Sequence, residues 1–134
     1  MAAALSAAGT DPDSIDLIIA NGDGSPIGDE HERTAIESLF KRSLDSVKVL
    51  SLKGAVGHLF AGAPLLDTAL GVRIIQEGFI PGMASDLTPQ PDSRLKLLIG
   101  GPTSHPVSRI LINAQGFAGQ CVSVVLSSIA HGKG

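Results

Sequence analysis

Aromatic residues are scarce. Trp and Tyr are absent and Phe occurs four times in 134 residues. A core without large rings has to be filled by small aliphatic side chains, as in close-packed α/β layers. Cysteine occurs once, which excludes an internal disulfide and makes a reducing cytoplasm the expected compartment. Basic residues are outnumbered, with 10 Lys and Arg against 13 Asp and Glu, and they form no block. The phosphate-neutralising footprint of a nucleic-acid binder is therefore missing. No apolar run reaches the ~18 residues a membrane-spanning helix needs. Residues 1–8 have neither the charged start nor the long apolar core of a secretory signal. No pair of His or Cys residues has zinc-site spacing, so no metal is expected, and no cofactor either.

What is present is a chain that is 43% apolar and carries 16 glycines. Residues 1–8 are Ala-rich and helix-prone, and they stop at Gly9 like the tail of a preceding helix. Asp11-Pro12-Asp13-Ser14 is a turn. Leu17-Ile18-Ile19-Ala20 is apolar on both faces and predicts a buried parallel strand over 15–20. A Gly-rich loop over 21–28 leads into a helix over 29–43, with Ala35, Ile36, Leu39 and Phe40 on one stripe. A second strand spans 47–52. A long apolar helix over 59–77 repeats Leu66, Leu70 and Ile74, is extended by Leu59, Phe60 and Ala63, and ends at Gly78. Residues 79–93, with Pro81, Pro89 and Pro91, read as extended loop. Strands over 95–99, 107–113 and 121–128 follow, and 129–134 is expected to be a flexible tail. The pattern predicts one α/β domain over 1–134, a mixed sheet of about five strands with packed helices.

Three Gly-rich stretches carry the chemistry. The central one is Lys53-Gly54-Ala55-Val56-Gly57-His58, where the second strand hands over to the long helix, a common place for functional groups in α/β proteins. The others are Ala20-Asn21-Gly22-Asp23-Gly24-Ser25-Pro26-Ile27-Gly28-Asp29 and Asn113-Ala114-Gln115-Gly116-Phe117-Ala118-Gly119-Gln120-Cys121. The second of these three resembles the A-H-G-T-G-T-P-x-N-D signature of the β-ketoacyl-[acyl-carrier-protein] synthases. Lys53 to Ala63 resembles their K-G-x-x-G-H-x-x-x-A-A, and the last stretch their N-S-F-G-F-G-G-x-N. Order and spacing agree with the family over nearly the whole chain. The resemblance implies the C-terminal half of such a synthase, one αβαβα-type repeat of the duplicated thiolase-like fold.

The implied reaction is a decarboxylating Claisen condensation of acyl and malonyl thioesters in fatty-acid or polyketide synthesis. The implied partners are an acyl carrier protein and either an N-terminal ketosynthase half or a partner subunit. The nucleophilic cysteine belongs to the first repeat, so no nucleophile is expected in this chain. Cys121 aligns with the terminal Asn of its motif, inside an apolar strand, and is expected to be a small buried hydrophobe.

By resemblance, His58 is a donor to the thioester oxyanion, where negative charge builds. Asn21 stands where the family has its first imidazole. An Asn donates through its amide but is no general base, and Asn-Gly followed by Asp-Gly also reads as an ordinary turn. Lys53 orients the catalytic groups, with Glu32 as its candidate partner. Asp29 and Glu32 match the family's acidic positions, but Asp29 as N-cap with Glu32 three residues on also approximates a capping box. Phe117 matches the gate of the acyl pocket, and Gly116 with Phe117 the backbone of the oxyanion hole. Asp67 matches a family acid with a structural role. Ala114, Gln115, Ala118 and Pro64 depart from the pattern, Ala118 because a Cβ restricts positive φ and Pro64 because it fits only near a helix start. His31 and His105 read as solvated, and His131 lies in the tail.

Three readings compete. The chain is half of a synthase, inactive alone; or a non-catalytic relative of the chain-length-factor kind, towards which Asn21 points; or a small α/β module binding anions at Gly-rich loops. Half of a duplicated sandwich leaves an apolar face uncovered, so self-association is expected.

Overall fold

The computed structural model describes residues 1–83 and 92–129. Helix α1 (Ala2–Ala7) opens the chain, and a 3-10 turn over Pro12–Ser14 leads into strand β1 (Leu17–Ile19). Then come α2 (Pro26–Leu39), β2 (Lys48–Leu50), the short α3 (Lys53–Val56) and the long α4 (Ala63–Glu77). The last strands are β3 (Phe79–Ile80), β4 (Lys96–Leu97), β5 (Thr103–Ser104), β6 (Arg109–Gln115) and β7 (Cys121–Ser127).

Five strands form one mixed sheet in the order β4-β2-β1-β6-β7. β1 lies at its centre, parallel to both neighbours, with Ile18 opposite Val49 on one side and Leu111 on the other. Within this sheet only β6 and β7 pair antiparallel, joined by a tight turn. Each strand side packs its own core. Ile18, Ala20 and Leu111 meet Leu5 of α1, Ile36 of α2 and Phe40 at the C-cap of α2. Leu17, Ile19, Ile110 and Ile112 meet Ile74 of α4. This explains why β1 is apolar at every position: a parallel strand covered by helices on both faces has no solvent side.

The α/β class and the five-stranded mixed sheet agree with the sequence reading, while several boundaries shift. The first long helix begins at Pro26, not at residue 29. Ser25 is its N-cap, accepting the Gly28 N–H at 3.1 Å, with Pro26 in the first turn. Asp29 is therefore not the N-cap. The helix buries Glu32 and Ile36, and Phe40 at its C-cap, but Ala35 is exposed. The second long helix begins at Ala63 rather than 59, after a 3-10 turn over Phe60–Gly62. Pro64 thus falls in its first turn, where a missing N–H costs nothing. Its buried stripe is Ala63, Asp67, Gly71 and Ile74, with Leu66 and Leu70 half-buried. Gly78 closes it in the left-handed conformation, φ 64, which only glycine adopts without strain.

The three prolines of 79–93 predict extended loop. β3 instead pairs antiparallel with β5, a strand the sequence reading lacked, and Met83 bridges to Ile99. Two-residue strands carry too little periodicity to be read from sequence. The rest of that expectation, 84–91, and the tail beyond Ile129 lie outside the described residues. Cys121 is exposed rather than buried. It opens an edge strand whose alternate residues have no neighbour to cover them, and Val122 and Val124 are exposed beside it.

Candidate functional site

β1, β2 and β6 run parallel, so their C-terminal ends share one edge of the sheet. The three Gly-rich stretches leave the sheet there, which is where open α/β sheets gather ligands.

Glu32 is the hub. Its carboxylate, 4% exposed, accepts three N–H groups: those of Asn21 at 2.8 Å, Gly22 at 2.8 Å, and the Asn113 side-chain amide at 2.6 Å. Asn113 is held in turn by the Ser123 hydroxyl at 2.8 Å. Glu32 thus ties the β1–α2 loop to β6. It does not cap α2, and it is not the hydrogen-bond partner of Lys53. That partner is Asn21: the ammonium donates to the Asn21 carbonyl and, at 3.2 Å, to its Oδ1. The Gln115 N–H donates to the same Oδ1 at 3.2 Å. Two donors on one oxygen fix which way the amide points, so the NH₂ of the buried Asn21 is the part of the amide left as a donor.

His58 is set by a neighbour that sequence reasoning missed. The Phe60 N–H donates to His58 Nδ1 at 3.0 Å, so the proton of the neutral ring sits on Nε2 and that nitrogen is the donor. Phe60 has φ 50, the one non-glycine residue in the positive region among the described residues. Nothing in the sequence marks a Phe for that conformation. The His58 ring stacks on Phe117 with centroids 5.8 Å apart and tilts against Phe60 at 5.1 Å. Phe60 and Phe117 are 67% and 84% exposed, so this three-ring group forms an open wall. The Gly116 N–H is engaged by the Gln120 carbonyl at 2.8 Å. Ala118 needs no positive φ, because the turn places Gly119 there, at φ 84.

Asn21 and Lys53 are therefore in direct contact, His58 and Phe117 are in direct contact, and Lys53 and His58 line one cleft of about 420 Å³. Asp23 and Asp29 line the same cleft. Asp23 lies below the usual carboxylate range, first because the Ser25 hydroxyl and N–H bond it and further through His58 and Lys53. Burial raises Asp29, against the Gly24 N–H at 3.3 Å. Asp67, on the buried stripe of α4, is also raised by burial, with the Lys53 charge opposing. His31 is exposed and His105 half-buried; His131 lies outside the described residues. Among the described residues no group of three His, Cys, Asp or Glu is placed to hold a metal, and no helix is long and apolar enough to cross a membrane.

The raised Asp67 has a measurable consequence. A carboxyl with a folded pKa above its ordinary 3.8 binds its proton more tightly folded than unfolded. Stability therefore falls as pH rises from the unfolded value through the folded one. Asp67→Asn removes that slope. Urea unfolding at about pH 4 and about pH 7 is expected to show the variant faring better against wild type at the higher pH. The opposite trend would mean that attraction to Lys53 outweighs burial.

Comparison with known proteins agrees with this geometry. The family described as beta-ketoacyl synthase, C-terminal domain, matches residues 1–85. The chain belongs to this family. Nodulation protein E of Rhizobium meliloti is 31% identical over 119 residues, which cover 89% of this chain and 30% of that protein. A type II polyketide-synthase ketosynthase, solved with its acyl-carrier protein and a bound hexaketide, superposes with a TM-score of 0.90 at 25% identity, covering 96% of this chain and 31% of that one. The ishigamide ketosynthase/chain length factor superposes at 0.87 and 25% identity, covering 94% and 31%. The chain thus spans about a third of the length of these relatives, and it has the fold of the ketosynthase C-terminal half. Relatives of known structure include a ketosynthase bound to an acyl-carrier protein and a ketosynthase with a chain length factor.

Proposed function

We propose that this chain is the C-terminal half of a β-ketoacyl synthase site and acts on acyl and malonyl thioesters only when a cysteine-bearing half completes it. The observation that carries this reading is the locked pair of donors at one sheet edge. Phe60 holds His58 Nδ1 and leaves Nε2–H as the donor, and Lys53 and Gln115 hold the oxygen of the buried Asn21 and leave its NH₂ as the donor. A thioester oxygen that gains negative charge is stabilised by such preorganised donors. Lys53 and Glu32 position them, Asp29 supports the loop, and Phe117, with Gly116 behind it, forms the gate of the acyl pocket and offers its own N–H.

A completing half also accounts for the exposed apolar surface. Leu65 and Val72 on α4, Val122 and Val124 on β7, and Phe60 and Phe117 are all open to solvent, and a completing half would bury them. The reading includes an acyl carrier protein as the donor of the thioester, and self-association of the chain when its partner is absent. Asn21 favours a second reading, a non-catalytic partner of the chain-length-factor kind, because it replaces a titratable donor with one that is no base.

The test is direct. The pure 134-residue chain is expected to condense no malonyl and acyl thioesters, and to sediment above monomer mass at high concentration. Turnover by the chain alone would refute the first expectation, and a clean monomer the second.

A further inference from the structure

The sheet ends differently on its two sides. β4, at one edge, is two residues long and carries Lys96, and a short strand with a lysine discourages further pairing. β7, at the other edge, runs for seven residues without a charge or a proline. It pairs with β6 at seven successive positions with no bulge, and no strand lies beyond it among the described residues. In an antiparallel pair, alternate residues aim N–H and C=O away from the partner. The outer rim of β7 is therefore a regular row of backbone donors and acceptors, a template for one more strand.

The side chains of β7 stand ready for the same neighbour. Leu126 reaches α4, its Cδ1 2.8 Å from where a Cβ on Gly71 would stand. By alternation Val122 and Val124 point to that face too, and they are 60% and 41% exposed. Val125, on the other face, packs against the cluster around Leu5.

The sequence of β7 also fits itself. Set antiparallel to a second β7 about Val124, it places Val124 beside its own copy and Val122 beside Leu126. On the other face Ser123 meets Val125, and Cys121 meets Ser127. No charge enters either row, and the α4 face gains an unbroken aliphatic one, the kind of cross-strand pairing that stabilises sheets. A two-fold axis through Val124 makes the contact isologous, so it closes at two copies.

We propose that the chain, in the absence of a completing half, forms a two-fold dimer by antiparallel pairing of β7 with β7 of a second copy, which joins the two five-stranded sheets into one. The inference rests on the self-association in the reading above and not on its chemistry. The cleft lies towards β2 and β4, where Val49 and Leu97 line it, so the dimer leaves it open.

Sedimentation velocity of the full chain at high concentration is expected to give twice the 13.7 kDa of one chain. Val124→Lys sets two like charges against each other at the axis and should weaken the dimer about 100-fold. Val124→Glu should do the same, and an equimolar mixture of the two variants should recover the dimer, because opposite charges then meet. Ser127→Cys reads the register independently. It places a thiol opposite Cys121 of the second copy and about 20 Å along the strand from Cys121 of its own chain. Mild oxidation should then yield covalent dimers, which the wild type does not form. A monomeric wild type, a dimer untouched by Val124→Lys, a mixture that stays monomeric, or no cross-link with Ser127→Cys would overturn the pairing. None of these readouts involves a thioester, so each leaves the acyl-thioester reading standing.

Discussion

Glu32→Ala is expected to cost about 4 kcal/mol of folding stability, the largest loss from any single polar side chain here. The carboxylate accepts three N–H groups from two separate elements. Hydrogen bonds to a charged acceptor are worth about 1.5–3 kcal/mol each, and a buried donor left unsatisfied carries its full desolvation cost. Asn21 and Asn113 are both buried, so at least two of the three donors cannot easily turn to bulk water. Water entering the vacated space offsets part of the loss, which is why the sum stays near 4 rather than 6. Against the 5–15 kcal/mol typical of a domain, that approaches unfolding. Glu32→Gln keeps one acceptor oxygen but aims an NH₂ at N–H donors, so it should fall between the two. Chemical denaturation measures both. A loss under about 1 kcal/mol for the alanine variant would mean that the loop does not depend on this carboxylate.

That result separates what the residues announce from what they conceal. Leu17-Ile18-Ile19 could be read as a strand buried on both faces because no other placement hides so many adjacent apolar groups. Gly78 could be read as a helix end because nothing else tolerates its φ. The three Gly-rich motifs could be read together because their order is improbable by chance. The wiring between them could not. Asp29 and Glu32 have the spacing of a capping box, but Ser25 takes the cap by bonding the Gly28 N–H, and only tertiary geometry shows Glu32 reaching residues 11 and 81 positions away. Lys53 has several acids within reach in sequence, but its hydrogen bonds go to Asn21. Cys121 looked buried because apolar neighbours usually are, yet an edge strand breaks that rule. Phe60 reads as helix surface, whereas its backbone, at φ 50, is what orients His58. For Glu32 and Lys53 a long-range contact outranks a local pattern, and for Phe60 an unmarked backbone conformation does.

The second large effect concerns His58. In a ketosynthase assembled from this chain and a cysteine-bearing half, His58→Ala is expected to lower the condensation rate about 10²–10³-fold, the usual loss on removing one oxyanion donor. The loss should fall on kcat more than on KM, because the donor meets a charge that exists only in the transition state. Phe60 makes this specific. Its N–H fixes the His58 tautomer from the backbone, so Phe60→Gly, which keeps the N–H and relieves the positive φ, should retain most of the rate even though it removes a ring from the His58 wall. Asn21→His adds a second imidazole beside Lys53 and should change the pH dependence of the rate relative to the natural chain. The two readings of the molecule part at this point. If the chain completes a working site, His58→Ala is severe and Phe60→Gly mild. If it is a non-catalytic partner, both leave the partner's rate within about twofold, and the locked imidazole serves packing alone.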